Sequence, residues 1–217
     1  TIKELLLSLL RCKYEDRLLF IGDSITDAGR TNHCPPLGEG FVAMLDKTLD
    51  TQFPESKLQI LNRGICGNTI EGLKLRWERD VITETPNWLF IYIGINDAHV
   101  TLNHSDSPSR RLKTFADTYA ELISITQAPL PHTQIILITP FLLVPDPESE
   151  ISRLTKTYVQ VVCDIGQQTT LPTINLQKLF ESVYNSQPSD HWSLDGVHPT
   201  PAGHKLIADT LFKFLAL

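Results

Sequence analysis

Short apolar runs alternate along this chain with longer segments whose apolar residues recur every three or four positions. The runs are Arg17–Ile21, Lys57–Leu61, Trp88–Ile93, Gln134–Thr139 and Thr173–Leu176. Most are continuously apolar, as parallel strands are when both of their faces are buried. The intervening segments place their apolar residues on one helical face. This alternation predicts a three-layer α/β/α sandwich around a five-stranded parallel sheet.

Length and charge restrict the partners of the chain. Because it has 217 residues and no tract that resembles a linker, we expect one domain over residues 1–217. The net charge is −6 and no basic cluster occurs, which argues against nucleic acid because phosphate binding needs concentrated positive charge. No apolar run reaches the roughly 20 residues that span a bilayer, so no membrane partner is predicted.

The amino terminus and the cysteines indicate the cellular compartment of the protein. Residues 1–10 contain Glu4 among their leucines and lack a small-residue cleavage site, which favours an amphipathic helix over a signal peptide. The four cysteines lie far apart with no Cys-x-x-Cys pair, so we expect reduced thiols. These features predict a cytoplasmic protein, and they leave open whether a segment upstream has been removed.

Ser24, Asp195 and His198 are the parts of a nucleophilic centre. Ser24 follows the first apolar run, where a strand gives way to a loop, a common place for catalytic groups. A serine hydroxyl reacts when a neighbouring base takes its proton, and His198 is the candidate base. Asp195 precedes His198 by three positions, so one turn brings its carboxylate to the other ring nitrogen. The structural alternative is that all three residues only form turns and helix caps.

Four short blocks follow predicted strands or precede the last predicted helix, which we expect to begin at Thr200 and Pro201. They are GDSITD at Gly22–Asp27, GICGNT at Gly64–Thr69, GIND at Gly94–Asp97 and DGVHP at Asp195–Pro199. In these blocks and their order the chain resembles the GDSL, or SGNH, hydrolase family along nearly its whole length. The resemblance implies a flavodoxin-like α/β/α fold and a serine ester hydrolase that works through an acyl-enzyme.

The resemblance also implies roles for single residues. Ser24 would be the nucleophile, with Asp195 and His198 as the acid and the base. The oxyanion hole would consist of the backbone N–H groups of Ser24 and Gly67 and the side-chain amide of Asn96.

Several of these positions have alternatives. Gly64 could take the place of Gly67, and Asn96 could instead form a structural Asx-turn. Asp23 and Asp27 are interpreted as hydrogen-bond acceptors that stabilise the loop rather than as reacting groups.

Three further residues are candidates for substrate binding: Asp23, His99 and Trp192. Asp23 precedes the nucleophile, and His99 lies three positions beyond Asn96, where a solvated loop position is the alternative. Trp192 precedes the predicted acid and either lines the cleft or forms a subunit contact. No metal is predicted, since Asp97 and His99 lack a third ligand, and the absence of a phosphate loop predicts no nucleotide cofactor.

Longer strings are similar to those of intracellular bacterial acetylxylan esterases. They are LLFIGDSITDAGR at Leu18–Arg30, GEGFV at Gly38–Val42, LKLRW at Leu73–Trp77, and Gly203-His204. This similarity implies a small acylated substrate, most specifically an acetylated sugar such as a xylo-oligosaccharide, and assembly as a homo-oligomer.

Two other functions remain open from the sequence. A lipase or thioesterase would use the same centre. An exposed apolar loop would favour such a function, and Phe141–Val144 is the candidate stretch. A non-catalytic binding module would have lost a residue of the triad or of the oxyanion hole, and none is lost.

Overall fold

The sheet consists of five parallel strands in a computed structural model that describes residues 10–144 and 146–216. The strands are β1 (Arg17–Gly22), β2 (Gln59–Gly64), β3 (Trp88–Tyr92), β4 (Gln134–Ile138) and β5 (Thr173–Ile174). Their order in the sheet is β2-β1-β3-β4-β5. The chain leaves β1 towards one side and returns to pair β3 on the other. A crevice therefore opens at the carboxyl end of β1, where open α/β sheets bind their ligands.

Eight α-helices connect or follow these strands within the described residues. They are α1 (Ser24–Asp27), α2 (Phe41–Gln52), α3 (Ile70–Trp77), α4 (Ile95–Leu102), α5 (Pro108–Gln127), α6 (Glu150–Thr169), α7 (Leu176–Val183) and α8 (Pro201–Leu215). A π-helical turn, Glu78–Ile82, extends α3, and 3₁₀ turns lie at Pro54–Ser56, Tyr184–Ser186 and Ser189–His191. Helix α8 begins as predicted, with Pro201 in its first turn and the Thr200 side chain accepting from Gly203 N–H.

Two apolar clusters, one on each face of the sheet, make this a three-layer sandwich. Leu18 and Phe20 of β1 belong to the cluster that α2, α7 and α8 cover. Leu19 and Ile21 belong to the cluster that α3, α5 and α6 cover. Successive strand residues point to opposite faces, so a continuously apolar strand contributes to both layers. The predicted α/β/α architecture is confirmed.

Several boundaries differ from the prediction. Strand β2 covers Gln59–Gly64 rather than Lys57–Leu61. Strand β5 ends at Ile174 because the Asn175 side chain caps α7 by accepting from Lys178 N–H, which makes Leu176 helical. His99, for which a solvated loop position was the alternative, lies inside α4.

The amino terminus and the cysteines can be described only in part. The helix predicted for residues 1–10 lies outside the described residues apart from Leu10, which forms an antiparallel bridge with Ala216. All four cysteines are free thiols, as predicted. In residues 10–144 and 146–216, no helix has the length and apolar character needed to cross a bilayer.

Candidate active site

Ser24 begins α1 directly after β1 and Asp23. The Asp23 side chain caps this helix by accepting from Ile25 N–H at 3.0 Å. Asp23 is fully buried, and burial raises its pKa to about 7 against the opposing effects of that hydrogen bond and of His198. The cap holds the serine at the carboxyl end of a central strand.

Ser24, His198 and Asp195 form one chain of hydrogen bonds. Ser24 Oγ lies 2.9 Å from His198 Nε2, and His198 Nδ1 lies 2.6 Å from Asp195 Oδ2. With the carboxylate ionised, His198 Nδ1–H donates to Asp195, which leaves Nε2 to accept from the serine hydroxyl. This tautomer is the one that general-base activation of a serine requires.

A tight turn holds Asp195 and His198 together. Asp195 Oδ1 accepts from the N–H groups of Val197 and His198 at 2.9 and 2.7 Å. Gly196 has a φ of +83°, and a Cβ there would overlap the carbonyl oxygen of Leu143. Glycine is therefore required on both conformational and steric grounds. Leu143 N–H also donates to Gly196 C=O at 2.9 Å, which joins this turn to the segment after β4.

The same contacts keep Asp195 ionised. Partial burial alone would raise its pKa, but the hydrogen bonds from the His198 ring and from the N–H groups of His198 and Val197 outweigh it. The pKa of Asp195 is consequently well below its usual range. The carboxylate is charged at every pH at which such a centre would operate.

The two candidate glycines of the second block have different surroundings. Gly64 N–H already donates to Asn62 Oδ1 at 2.8 Å, and a Cβ on Gly64 would overlap the backbone of Asp27. Gly67 has a φ of +74°, and a Cβ there would meet open space. Within the described residues, Gly67 N–H has no hydrogen-bond acceptor. These contacts favour Gly67 as a donor towards a ligand and give Gly64 a packing role.

Asn96 and Asp97 connect the third block to the second. Asn96 Nδ2 donates to Asn68 C=O at 3.0 Å, so one amide hydrogen is engaged and the other is left for a ligand. Asp97 accepts from Ile70 N–H, at the start of α3, with its two oxygens at 3.1 and 3.3 Å. Burial raises the pKa of Asp97 to about 7, although this hydrogen bond opposes the change. Asp97 thus has a structural partner at the start of α3.

Arg76 is a buried residue of the site that sequence reasoning did not identify. Its guanidinium donates to Gly22 C=O at 3.0 Å, to Asn68 Oδ1 at 2.8 Å and to Arg63 C=O at 2.7 Å, and it pairs with Asp80 at 2.7 Å. The planar fork of donors lets one side chain join the ends of β1 and β2 to the second block. Its position within LKLRW was the only signal in the sequence.

Asp27 makes a second connection between the first two blocks. It accepts from Thr31 N–H and Oγ at 2.9 and 2.7 Å and from Cys66 N–H at 3.3 Å. Asp27 therefore stabilises the loops, as interpreted from the sequence.

Ser24 and His198 line a cleft of about 310 Å³. Glu39 and His204 line it as well, although sequence reasoning gave neither a role. Phe41 N–H donates to His204 Nδ1 at 3.2 Å, which places the ring proton on Nε2. Burial lowers the pKa of His204 to about 4, so this ring is neutral near pH 7.

The three candidate substrate-binding residues lie in different surroundings. Asp23 is fully buried next to Ser24 and acts as a helix cap, so the prediction that it touches substrate is not supported. His99 lies on α4 rather than on a loop, and its Nδ1 donates to Ile95 C=O at 2.9 Å. Trp192 packs edge-on against His191 and Phe180. Direct contact of His99 or Trp192 with substrate stays a prediction.

A protein family and a characterised enzyme are similar in sequence to this chain. The family described as GDSL-like Lipase/Acylhydrolase matches residues 20–206. An acetylxylan esterase of Geobacillus stearothermophilus is 37% identical over 201 residues, which cover 89% of this chain and 90% of that protein.

Solved structures are similar over nearly the whole chain. A catalytic mutant of Axe2, an acetylxylan esterase from Geobacillus stearothermophilus, has a TM-score of 0.85 at 31% identity and covers 96% of this chain and 97% of its own. LAE5, a hydrolase from the metagenome of Lake Arreo, has a TM-score of 0.82 at 27% identity and covers 93% and 95%. Three catalytic mutants of Axe2 replace a serine, an aspartate and a histidine by alanine, and the last two are three positions apart.

Proposed function

Since this chain belongs to the GDSL-like lipase/acylhydrolase family of carboxylic ester hydrolases, we propose that Ser24, His198 and Asp195 are its catalytic triad. We further propose that it removes short acyl groups, most specifically acetyl groups from acetylated sugars such as xylo-oligosaccharides. The observation that carries the proposal is the continuous hydrogen-bonded chain from Ser24 Oγ through His198 to Asp195.

The first half of the proposed reaction acylates the serine. His198 Nε2 takes the hydroxyl proton of Ser24 as Oγ attacks the ester carbonyl. The imidazolium that forms is stabilised by the ionised Asp195 carboxylate 2.6 Å from Nδ1. When the tetrahedral intermediate collapses, His198 gives its proton to the alcohol oxygen, and the alcohol departs.

The second half hydrolyses the acyl-enzyme. A water molecule loses a proton to His198 and attacks the acyl carbon. The proton then returns to Ser24 Oγ as the acid leaves, which restores the enzyme. All steps use side chains of this chain and solvent water.

Both tetrahedral intermediates carry a negative oxygen that needs hydrogen-bond donors. We assign these donors to the backbone N–H groups of Ser24 and Gly67 and to Asn96 Nδ2. The unpartnered Gly67 N–H and the remaining hydrogen of Asn96 support this assignment. Loss of one such donor typically raises the barrier by about 2.7–4 kcal/mol.

Two observations support a small acyl group on a sugar. Acetylxylan esterases of Geobacillus stearothermophilus are similar over most of this chain, and the cleft around Ser24 has a volume of about 310 Å³. In Phe141–Val144, the candidate for an exposed apolar loop, the first three residues are buried and Val144 is half-buried. That stretch therefore does not provide the lipid-binding surface that would favour a lipase.

Hydrolysis of p-nitrophenyl esters tests the acyl preference, because the leaving group stays constant while the acyl chain varies. We expect kcat/KM for the acetyl ester to exceed that for the octanoyl ester by at least tenfold. Acetate release from acetylated xylo-oligosaccharides, compared with triacetin, then tests the alcohol side. Faster hydrolysis of the octanoyl ester would contradict the acetyl preference.

Replacement of Ser24 by alanine tests the serine mechanism separately. Ser24→Ala should lose all measurable turnover and all labelling by a fluorophosphonate probe, whereas Ser109→Ala, on the exposed surface of α5, should keep both. Wild-type turnover in the Ser24 variant would contradict the mechanism.

We also propose that the chain is one folding unit, that it assembles as a homo-oligomer and that it is cytoplasmic. The side chains of Leu75 and Leu194 are 91% and 82% accessible, and these are the positions at which we expect a contact between copies. The four free cysteines support a reducing compartment.

A further inference from the structure

A histidine, a cysteine and a glutamate meet at the rim of the active-site cleft. His33 Nε2 lies 3.0 Å from Glu39 Oε1, and Cys34 Sγ lies 3.9 Å from Glu39 Oε2. Donor atoms of all three residues lie within 4.8 Å of one another. Glu39 also lines the cleft that contains Ser24 and His198. The proposed hydrolysis does not use this His33–Cys34–Glu39 cluster.

The backbone of the loop holds the cluster in place. Gly29 C=O accepts from the N–H groups of His33 and Cys34 at 3.0 and 2.9 Å. Gly38 N–H donates to Cys34 C=O at 2.7 Å, and Glu39 N–H donates to Ala28 C=O at 2.8 Å. These bonds close the loop on itself and join it to the end of α1. The backbone that carries the three side chains is therefore fixed before a ligand binds, which reduces the ordering cost of binding.

The spacing of the donor atoms suits one zinc ion. Bonds of about 2.0–2.3 Å in a tetrahedron place neighbouring ligand atoms about 3.3–3.7 Å apart. His33 Nε2 lies 3.0 Å from Glu39 Oε1 and Cys34 Sγ lies 3.9 Å from Glu39 Oε2, and one ligand atom from each of the three residues lies within 4.8 Å of the other two. Zinc binding therefore requires rotations of these exposed side chains that move the ligand atoms together by at most about 1 Å. Thiolate, imidazole and carboxylate are all ligands that zinc takes in proteins.

We propose that His33 Nε2, the Cys34 thiolate and the Glu39 carboxylate bind one zinc ion at the rim of the cleft. On binding, the Cys34 thiol releases its proton to solvent, and His33 is neutral with its proton on Nδ1. Three protein ligands leave a fourth position for water, which is the arrangement of an open zinc site.

An ion pair between His33 and Glu39 is the competing explanation for the shorter contact. Both side chains are 64% exposed, and exposed pairs of this kind contribute little to stability. An ion pair between His33 and Glu39 does not involve Cys34, whereas the zinc site requires Cys34 as a ligand. The cysteine therefore distinguishes the two explanations.

Cobalt is the probe for the test, because Co²⁺ occupies zinc sites and its bond to a thiolate absorbs in the near ultraviolet. Tag-free full-length protein is titrated with Co²⁺ at pH 7.5 under reducing conditions. We expect a thiolate-to-cobalt band that saturates at one equivalent and disappears when one equivalent of Zn²⁺ is added. A competition titration of Zn²⁺ against a chromogenic chelator measures affinity independently.

Variants assign the ligands. Cys34→Ser should abolish the band, and His33→Ala or Glu39→Gln should weaken Zn²⁺ binding at least tenfold. Cys163→Ser and His132→Ala, which change the same residue types elsewhere, should bind as the wild type does. All three ligand residues are partly or fully exposed, so these variants should fold, and circular dichroism checks that they do. No band at one equivalent, or an undiminished band in Cys34→Ser, would overturn the proposal.

Discussion

The two carboxylate oxygens of Asp195 have separate partners. Oδ2 contacts the His198 ring at 2.6 Å, and Oδ1 accepts two backbone N–H groups at 2.7 and 2.9 Å. One residue therefore orients the proposed base and also holds the turn that carries it. A change that affects only Oδ2 separates the two contributions.

Asp195→Asn makes that change. The amide oxygen can still accept from the backbone, but the amide nitrogen cannot accept from His198 Nδ1–H, so the ring loses its productive tautomer. We expect kcat for p-nitrophenyl acetate to fall by roughly 10⁴-fold, as in other serine triads, with little change in melting temperature.

The control for this change is Asp209→Asn, which replaces an aspartate that pairs with Lys205 on the surface of α8. It should keep kcat within about twofold of the wild type. An Asp195 variant that retained more than a tenth of wild-type kcat would contradict the assigned role.

At the scale of elements, the site depends on how closely β2 approaches α1. Strand β2 ends at Gly64, and a Cβ on this residue would overlap backbone atoms of Thr26 and Asp27 in α1. The guanidinium of Arg76 on α3 contacts the carbonyl of Gly22 at the end of β1. Ser24 is thus placed by contacts among several elements and not by its own loop alone.

Substitution of the two glycines tests this placement. Gly64→Ala should lower the free energy of unfolding by about 3 kcal/mol, because neither of the overlapping backbone segments is free to move. Gly67→Ala adds its methyl group in open space and should cost only about 1–2 kcal/mol, for the positive φ.

Urea denaturation of both glycine variants beside the wild type gives the comparison. Equal losses of stability in the two variants would show that the close approach of β2 to α1 is unimportant.

At the scale of the whole molecule, the sheet contributes side chains to two apolar clusters, one on each face. Leu18 and Phe20 face one cluster while Leu19 and Ile21 of the same strand face the other, so neither cluster can lose its packing without disturbing β1. Trp88 lies in the first cluster and Trp77 in the second. Tryptophan fluorescence therefore reports on both sides of the sheet.

We expect one cooperative unfolding transition, with coincident curves from tryptophan fluorescence and far-ultraviolet circular dichroism. If copies assemble as proposed, the thermal midpoint should rise with protein concentration, because association stabilises only the folded state. Two separate transitions would contradict a single folding unit. A midpoint that stays constant over a hundredfold range of concentration would contradict the oligomer.

The sequence by itself determined the architecture and the local contact between Asp195 and His198. A parallel strand that is buried on both faces consists of continuously apolar residues, so the five strands could be predicted from the sequence alone. Ser24 follows one such strand, and the short separation of Asp195 and His198 makes their contact a local property of one turn. Strand burial and the conformation of a short turn depend on residues that are adjacent in the chain, which is why the architecture could be predicted from the sequence.

Only the tertiary structure decided the remainder. It gave Gly64 a packing role, buried Asp23 as a helix cap, and placed Arg76 across the ends of two strands. It also ended β5 early at the Asn175 cap, and it put His204 and Glu39 beside the cleft. Each outcome depends on the distance between segments far apart in the chain. No local pattern encodes such a distance, because it follows from how the helices and the sheet pack together.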